Sequence, residues 1–251
     1  MIEVIRPGEI PYAHGLAMQL MLRARLYKRE EDDPLKGYFL VLEHPRTVTL
    51  GRRGELEHLM SPALLAQQGV EVFRIDRGGE ATYHEPGQLV AYPILHLKSL
   101  ELGVVDLIRN MAGQLADAIA PFGLSASYDC DHPGLWTEGG LMRRKVASVG
   151  MRVSKGVTTH GVAINLINEM TGFGWIVPCG MPQAPMTRLL DHVEGVDDPR
   201  EEVFDVVKES FLEKMERYLG EEFVEGEVPE VSEEAIEAAR AECQLELSAL
   251  G

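Results

Sequence analysis

Cysteine is scarce in this chain, and the three that occur, Cys130, Cys179 and Cys243, form no Cys-x-x-Cys pair. So few thiols at such separations exclude a disulfide framework of the kind that stabilises small secreted domains. We therefore expect reduced thiols. The eight histidines likewise show no His-Glu-x-x-His or His-x3-His pattern, so we predict no metal site.

Long apolar runs are also missing. No stretch approaches the roughly 20 consecutive apolar residues of a membrane span. Near the N-terminus, Glu3 and Pro7 interrupt the apolar run that a secretory signal requires. The sequence therefore predicts a cytoplasmic protein that has no membrane partner.

Basic residues are outnumbered, with 24 Lys and Arg against 40 Asp and Glu and a formal net charge of −16. Nucleic acids are bound by clustered Lys and Arg, so this balance excludes nucleic acid as a partner. The acidic excess is concentrated in residues 221–251, which hold ten glutamates and one arginine. Because Glu221 to Pro229 resembles a linker, we predict one domain over 1–220 and an acidic C-terminal helical appendage over 221–251.

The 251 residues, 45% of them hydrophobic, are enough to bury a full core. Helical patterns run from Pro11 to about Arg29 and from Val104 to Phe122, among others, and Ser61 suits the N-cap of a short helix. Ala81 to His84 and Leu89 to Leu95 read as strands of a hairpin-like unit that turns at Glu85-Pro86-Gly87. Helices interleaved with mixed strands predict an α/β or α+β fold, a mixed β-sheet with helices on its faces.

A run of glycines and hydrogen-bonding side chains follows a predicted strand, Arg77-Gly78-Gly79-Glu80-Ala81-Thr82-Tyr83-His84. Paired glycines allow a ligand to lie against the backbone. The run is not a phosphate loop, since the chain lacks Gly-x4-Gly-Lys-Ser/Thr and the segment lacks Gly-x-Gly-x-x-Gly. From the residues alone, both a ligand site and a glycine-rich hairpin with a surface arginine remain open.

Cys179 stands between a proline and a glycine in Val177-Pro178-Cys179-Gly180, a setting that suits a nucleophile. Upstream lies Lys145 in Arg144-Lys145-Val146-Ala147-Ser148-Val149-Gly150. A thiol and an amine form a minimal acyl-transfer apparatus, because the amine can stabilise the thiolate and move protons. The alternatives are a small buried cysteine, a solvated lysine and, for His160, a structural histidine.

The order and spacing of these segments resemble the octanoyltransferases of lipoate biosynthesis. The resemblance runs from about Leu42 to Leu189. It implies the fold of the biotin/lipoate protein ligase superfamily, with residues 1–220 as the catalytic domain. The segments that carry it are Gly51-Arg52-Arg53-Gly54, Arg77-Gly78-Gly79 with Thr82-Tyr83-His84, Pro86-Gly87-Gln88, Lys145 to Gly150, His160 to Asn165 and Pro178-Cys179-Gly180.

By position, the resemblance implies that Cys179 is the nucleophile and Lys145 its activating partner. His84 or His160 is expected to orient the site, and no cofactor or metal is required because a thioester substrate arrives activated. The residues expected to bind the acyl substrate are Arg77, Gly78, Gly79, Glu80, Ala81, Thr82, Tyr83, His84, Ser148, Val149, Gly150, Gly161, Val162 and Ala163.

The reaction implied is transfer of an octanoyl group from octanoyl-acyl carrier protein to a lysine of a lipoyl domain. The expected acceptors are 2-oxoacid dehydrogenase E2 subunits and the glycine cleavage H protein. Two alternatives remain. One is an ATP-dependent lipoate or biotin-protein ligase of the same fold, and the other is a non-catalytic module that binds an acyl group or docks a carrier protein.

Two positions depart from the family pattern. Glu85 stands where the family usually has glycine, and Thr187-Arg188-Leu189 stands where it tends to have a Thr-Ser-Leu-like element. The Glu85 carboxylate is expected either to hydrogen-bond a donor or to point to solvent. Neither departure touches Cys179 or Lys145.

Overall fold

The computed structural model describes residues 1–59, 61–139, 142–177 and 185–245, which form two β-sheets and the helices packed on them. The strands are β1 (Ile2–Glu9), β2 (Gly37–Glu43), β3 (Thr47–Leu50), β4 (Glu71–Arg74), β5 (Ala81–His84), β6 (Gln88–Leu95), β7 (Ala126–Asp129), β8 (Gly134–Thr137), β9 (Lys145–Ser154), β10 (Val157–Asn165) and β11 (Phe223–Glu225). The α-helices are α1 (Tyr12–Leu26), α2 (Pro62–Gln67), α3 (Val104–Ile119), α4 (Val206–Leu219) and α5 (Glu233–Cys243).

The larger sheet has eight strands in the order β11-β1-β2-β6-β10-β9-β8-β7, and the smaller sheet has the order β4-β3-β5. β1 runs parallel to β2 and β11, and β3 runs parallel to β4, whereas the other pairings are antiparallel. β9 and β10 form a long hairpin at the centre of the larger sheet. The predicted mixed sheet with helices on its faces is therefore confirmed.

The larger sheet is covered on both faces, and the alternation of side chains along β2 shows this. Phe39 and Val41 pack with α3 and α4 on one face. Tyr38, Leu40 and Leu42 pack with α1 on the other. A strand that is buried on both sides reads as a continuous apolar run, because successive side chains point to opposite faces.

The start of α2 and the end of α3 follow from local chemistry. Ser61 caps α2 as expected, since its hydroxyl accepts from the Leu64 backbone N–H at 3.2 Å. The helix predicted to Phe122 is α-helical only to Ile119 and ends in a 3₁₀ turn. Pro121 lacks a backbone donor, and Gly123 adopts a left-handed φ of +85° that terminates the helix.

The hairpin expected around residues 85–87 is wrong. β5 pairs with β3 in the smaller sheet, whereas β6 pairs with β2 and β10 in the larger one. The Gly87 backbone N–H donates to the Glu43 carboxylate at 2.5 Å, and the Glu85 carboxylate is buried. These contacts lead the chain from one sheet to the other rather than back along β5.

The acidic C-terminal region packs against the rest of the chain. Phe223–Glu225 forms an edge strand beside β1. Ala239 of α5 is buried in a cluster that also contains Leu16 of α1 and Phe73 of β4. The Arg240 guanidinium pairs with the Glu71 carboxylate. The domain boundary expected at residue 220 stays a prediction. The elements on its two sides are in direct contact.

None of the helices in the described ranges is both long and apolar enough to cross a membrane.

Truncation after Glu230 removes α5 and uncovers the apolar cluster that α5 shares with α1 and β4. We expect the shortened chain to fold but its Tm to fall by roughly 5 °C or more, because a few kcal/mol of packing correspond to such a shift in a chain of this size. The measurement is thermal unfolding by circular dichroism. Truncation after Leu245, which keeps α5, is the matched control, and an equal Tm for both shortened chains would contradict a stabilising role of α5.

Candidate active site

A cavity of about 270 Å³ lies between the two sheets. Its floor is formed by β9 and β10 of the larger sheet. Its roof is formed by β5 and by the loop that precedes it. The described residues that line it are Tyr12, Arg53, Arg77, Gly79, Glu80, Ala81, Thr82, His84, Tyr92, Asp131, His132, Pro133, Lys145, Ser148, Val149, Gly150, His160, Gly161, Val162 and Ala163.

The roof loop lies directly on the floor at Gly150. A Cβ atom built at Gly150 would be 2.7 Å from the Gly78 carbonyl oxygen, so no side chain fits there without a backbone shift. The Gly78 N–H donates to the Met151 carbonyl at 3.2 Å. Glycine at position 150 therefore permits the close approach that closes the cavity at this point.

Arg77 shapes the roof loop. Its guanidinium is buried and donates to the carbonyl oxygens of Thr49 at 2.7 Å, Gly78 at 2.9 Å and Glu80 at 2.9 Å. It also donates to the Thr49 hydroxyl at 2.9 Å. A guanidinium with several donors in a fixed plane can fasten a loop in this way. Arg77 lines the cavity, and these contacts tie the loop to β3.

Lys145 opens β9 and is 1% exposed. Its ammonium donates to the Pro133 carbonyl at 2.8 Å and lies 5.6 Å from the centre of the Trp136 ring. The side chain extends over Gly134, where a built Cβ atom would be 2.3 Å from Lys145 Cε. The solvated lysine considered from the sequence is therefore excluded, and the amine is a buried group that lines the cavity.

Cys179 lies outside the described residues, but the chain on the far side of its segment is placed next to Lys145. The Lys145 N–H donates to the Pro185 carbonyl at 2.7 Å, and the Thr187 N–H donates to the Lys145 carbonyl at 3.0 Å. The two segments form a parallel bridge at Lys145 and Met186. The chain that follows the cysteine segment is thus held against the backbone of the lysine.

A buried chain of amides extends this contact toward the roof. Asn165 Nδ2 donates to the Thr187 carbonyl at 3.1 Å, and Asn165 Oδ1 accepts from Gln88 Nε2 at 2.9 Å. Gln88 Oε1 is in turn 2.8 Å from His84 Nδ1. Asn165, Gln88 and His84 are each at least 95% buried, so the hydrogen bonds of their side chains are worth more than in water and their loss is costly. The network links the roof, the floor and the segment that follows Cys179.

Burial favours the neutral form of two of the histidines that line the cavity, His84 and His160. It lowers the pKa of His84 to about 3, with help from neighbouring His44. Burial also lowers the pKa of His160, although the Asp76 carboxylate, 2.9 Å from His160 Nε2, acts in the opposite direction. The hydrogen bond from His160 lowers the pKa of Asp76. The two rings therefore serve as hydrogen-bonding groups rather than as cations.

All but two of the residues expected to bind the substrate line the cavity. Gly78 lies in the roof loop without lining it. Tyr83 points to the opposite side of the smaller sheet, because neighbouring residues of a strand face opposite ways. Its ring packs edge-on against Phe173 and Trp175. Tyr83 belongs to the core above the cavity.

The two departures from the family pattern meet at one residue, Asn168. The Glu85 carboxylate is 2% exposed and accepts from Asn168 Nδ2 at 2.9 Å and from the Met170 N–H at 2.7 Å. Arg188 Nη1 donates to the Asn168 carbonyl at 2.5 Å. Of the two expected outcomes for Glu85, the hydrogen-bonded one is present and the solvent-facing one is wrong. Both departures thus hold the turn that follows β10.

Several cavity residues were not found from the sequence. Tyr12 and Tyr92 come from α1 and β6, and Asp131, His132 and Pro133 come from the turn between β7 and β8. The polar cluster Asp129 to His132 is a sequence signal for Asp131 and His132. Gln88 and Asn165 lay in the matched segments but carried no predicted role. Within the part of the chain that the structure describes, no group of three or more His, Cys, Asp or Glu side chains is placed to hold a metal ion.

The other two cysteines fit a structural or surface role. Cys130 is exposed in the turn after β7. Cys243 is partly buried at the end of α5, and burial together with nearby Glu242 raises the pKa of its thiol to about 11. A thiol with so high a pKa is a poor source of thiolate at neutral pH.

Residues 11–212 match the family of the lipoyl protein ligase A/B catalytic domain. The chain is 36% identical to the octanoyltransferase of Acidobacterium capsulatum over 79% of this chain and 82% of that one. It is 38% identical to the octanoyltransferase of Desulfotalea psychrophila over 77% of this chain and 85% of that one.

Solved structures share the fold at low sequence identity. A bi-partite lipoate protein ligase from Thermoplasma acidophilum superposes with a TM-score of 0.70 and 17% identity, over 96% of this chain and 91% of that one. Lipoate-protein ligase A bound with ATP superposes with a TM-score of 0.69 and 17% identity, over 96% of this chain and 94% of that one. At such identities the likeness describes the architecture alone.

The two-sheet architecture and its cavity define a catalytic domain of the lipoate ligase type. Within that class, the chain belongs to the octanoyltransferase family. It is an acyltransferase, and the family expected from the sequence is confirmed.

Asn165→Ala removes the donor to the Thr187 carbonyl and the acceptor for Gln88. Since both lose buried hydrogen bonds, we expect a loss of about 1–3 kcal/mol in the free energy of unfolding. We also expect kcat for acyl transfer to fall at least tenfold with little change in KM, because the segment next to Lys145 is misplaced. The control is Asn110→Ala on α3, whose Nδ2 donates to the Asp106 carbonyl in an exposed hydrogen bond. A variant that loses stability but keeps kcat would show that the amide chain does not position the site.

Proposed function

We propose that the chain transfers an octanoyl group from octanoyl-acyl carrier protein to a specific lysine of a lipoyl-domain protein, through a thioester on Cys179. The observation that carries this proposal is the buried amine of Lys145, which lines the cavity while its backbone is bonded to the chain that follows Cys179. The family match supports the acyl group and the overall reaction. The proposal assigns the catalytic domain to residues 1–220 and the reaction to the cytoplasm.

The first half-reaction moves the acyl group onto the enzyme. An unperturbed thiol has a pKa of roughly 8.5 and is only a few per cent ionised at neutral pH. The ammonium of Lys145 stabilises the Cys179 thiolate, which attacks the substrate carbonyl. The carbon–sulfur bond to the carrier breaks, and the leaving carrier thiolate takes a proton from Lys145, which becomes neutral. One thioester replaces another, so the step is nearly isoenergetic. Backbone N–H groups at Cys179 and Gly180 would stabilise the oxyanion.

The second half-reaction moves the acyl group onto the acceptor. The lysine amine of the lipoyl domain attacks the Cys179 thioester, an amide bond forms, and the cysteine leaves as a thiolate. The incoming amine must lose a proton, and Lys145 in its neutral form accepts it. His84 and His160, both neutral and hydrogen-bonded, orient the cavity walls and carry no charge through the cycle.

The partners follow from the reaction. The acceptors are lipoyl-domain proteins, namely 2-oxoacid dehydrogenase E2 subunits and the glycine cleavage H protein, and the donor is octanoyl-acyl carrier protein. The bi-partite ligase of the same fold was studied with its E2 lipoyl domain, which supports an acceptor of this kind. The donor rests on the family resemblance.

The closest alternative is an ATP-dependent ligase, since lipoate-protein ligase A has the same fold and binds ATP. Its identity to this chain is 17%, against 36% and 38% for the octanoyltransferases. A non-catalytic binding module is the other alternative. An assay with octanoyl-acyl carrier protein and a lipoyl domain, with and without ATP, separates the three. Transfer without ATP supports the proposal, transfer only with ATP supports the ligase, and binding without transfer supports the module.

Incubation with octanoyl-acyl carrier protein alone should acylate Cys179. Intact mass should rise by one octanoyl group, and peptide mapping should place the adduct on the peptide that contains Cys179. Cys179→Ala should abolish the adduct and the transfer while leaving the unfolding temperature unchanged within a few degrees. Cys130→Ala is the matched control and should keep both. An adduct on Cys130 or Cys243 would overturn the assignment.

Replacement of Lys145 should separate its charge from its proton transfer. Lys145→Arg keeps a positive charge but its guanidinium cannot accept a proton at working pH. This variant should retain part of the reactivity of Cys179 toward iodoacetamide and lose transfer to the lipoyl domain at least a hundredfold. Lys145→Met should lose both, and its alkylation should require a higher pH. Unchanged pH dependence of alkylation in Lys145→Met, together with persistent transfer, would exclude the cysteine–lysine pair.

A further inference from the structure

His160 separates the catalytic cavity from a second pocket. It lines the cavity between the sheets together with Gly161 and Val162. It also lines a pocket of about 630 Å³ on the other side, beneath α5. That pocket is bounded by side chains from α1, β4 and α5, among them Leu20, Arg23 and Cys243. The imidazole of His160 is therefore part of the wall between the two spaces.

The wall is held rigidly. The His160 N–H donates to Gln19 Oε1 at 2.7 Å, and His160 Nε2 donates to Asp76 Oδ1 at 2.9 Å. The backbone of His160 has φ of +58°, which costs energy for a residue other than glycine and marks a constrained position. Met151, its partner across the β9–β10 ladder, packs on the α3 face, whereas His160 reaches Asp76 beyond the end of β4. Conformational strain at such a place is a reason to look for a function.

One atom of the wall is unsatisfied. His160 is 2% exposed, and its Nδ1 has no hydrogen-bond partner among the residues that the structure describes. Because Nε2 carries the proton that Asp76 accepts, Nδ1 of the neutral ring is a bare acceptor. Pressing an apolar group against a buried, unpaired acceptor of this kind costs free energy.

The position of the wall matches the length of the expected acyl chain. The Lys145 ammonium lies over Gly134, which is paired with Ser148 of β9. Ser148 is opposite Ala163, three residues from His160 on β10. At about 3.3 Å per residue and about 4.8 Å between strands, the backbones of Gly134 and His160 are about 14 Å apart, with the ammonium at one end of this span and the imidazole at the other.

An extended eight-carbon chain has seven carbon–carbon bonds and spans about 9 Å, given bonds of about 1.5 Å in a zigzag. The carbonyl carbon that the acceptor amine attacks is placed about 3 Å from the Lys145 amine, which accepts the proton of that acceptor amine. These lengths add to about 12 Å of the about 14 Å available, so the methyl end already touches the His160 ring and further carbons would overlap it.

We propose that His160, held by Asp76, is the end wall that limits the length of the acyl chain, and that its removal joins the cavity to the pocket beneath α5. This inference rests on the proposed function, which places the acyl chain in the cavity. It assigns a specificity-determining role to a residue that otherwise only orients the site.

The test measures chain-length preference in His160→Gly, because glycine tolerates the left-handed backbone at this position. Acyl-pantetheine thioesters of six, eight, ten, twelve and fourteen carbons are assayed for equilibrium binding by calorimetry with Cys179→Ala added to the parent and to each variant, so that no acyl group is transferred. The same acyl groups on acyl carrier protein are assayed for transfer to a lipoyl domain. Lys155→Gly is the matched control, since Lys155 also has a positive φ, +48°, but lies in the exposed β9–β10 turn.

The parent and Lys155→Gly should bind eight carbons best and lose at least tenfold in affinity at twelve. His160→Gly should instead gain affinity beyond eight carbons, by roughly fourfold for each further buried methylene until the second pocket is filled. Asp76→Asn keeps the His160 ring but weakens the hydrogen bond that holds it, so it should partly relax the limit on chain length. Transfer should follow the same order of chain lengths.

The possible results separate this inference from the proposed function. A parent that shows no drop in affinity between eight and fourteen carbons overturns the wall whether or not any variant folds. Octanoyl transfer by the parent, combined with the parental length preference in His160→Gly, also overturns the wall and leaves the function intact. If His160→Gly binds longer chains but the parent transfers no octanoyl group, the role of His160 as end wall is supported and the proposed function is contradicted. If the protein binds none of the thioesters, both the end-wall role of His160 and the proposed function are contradicted.

Discussion

The burial of one ammonium group, that of Lys145, is the constraint on which the site depends. An isolated charge in the interior costs several kcal/mol, so the surroundings must supply oxygen atoms and an aromatic face. Pro133 and Trp136 supply them from the turn before β8 and from β8 itself. The side chain can reach them only because residue 134 is glycine. The order of β8 and β9 in the sheet is thereby tied to the chemistry of the cavity.

The same lysine fixes the chain on its other side. Its backbone N–H and carbonyl bond to residues 185 and 187, so the segment that follows Cys179 is attached to the beginning of β9. Asn165 and Gln88 carry this attachment to His84 in the roof. A fully hydrogen-bonded buried network is rigid, because each broken bond leaves a desolvated polar group. Rigid placement of a nucleophile and its partner is what an acyl transfer requires.

The cavity also requires the smaller sheet, because without it this face of β9 and β10 would be open to solvent. Residues 47–84 leave the larger sheet and return above it, with Arg77 fastened to Thr49 and the roof loop resting on Gly150. The lining of the cavity combines glycines and small side chains, such as Gly79, Ala81 and Ala163, with polar groups that include His84, His160 and Tyr92.

The sequence by itself determined the class of fold, the family, and the segments that line the cavity, since apolar periodicity and short motifs are local properties. It placed Ser61 at a helix start and Lys145 at a strand start. It could not decide which strands pair. The sequence therefore predicted a hairpin of β5 and β6, and it left open that Glu85 points to solvent. Only the tertiary structure decided that Lys145 is buried, that Tyr83 faces the core, that Glu85 and Arg188 meet at Asn168, and that His160 stands between two pockets. These depend on contacts between residues far apart in the chain, which become neighbours only when the two sheets are packed together.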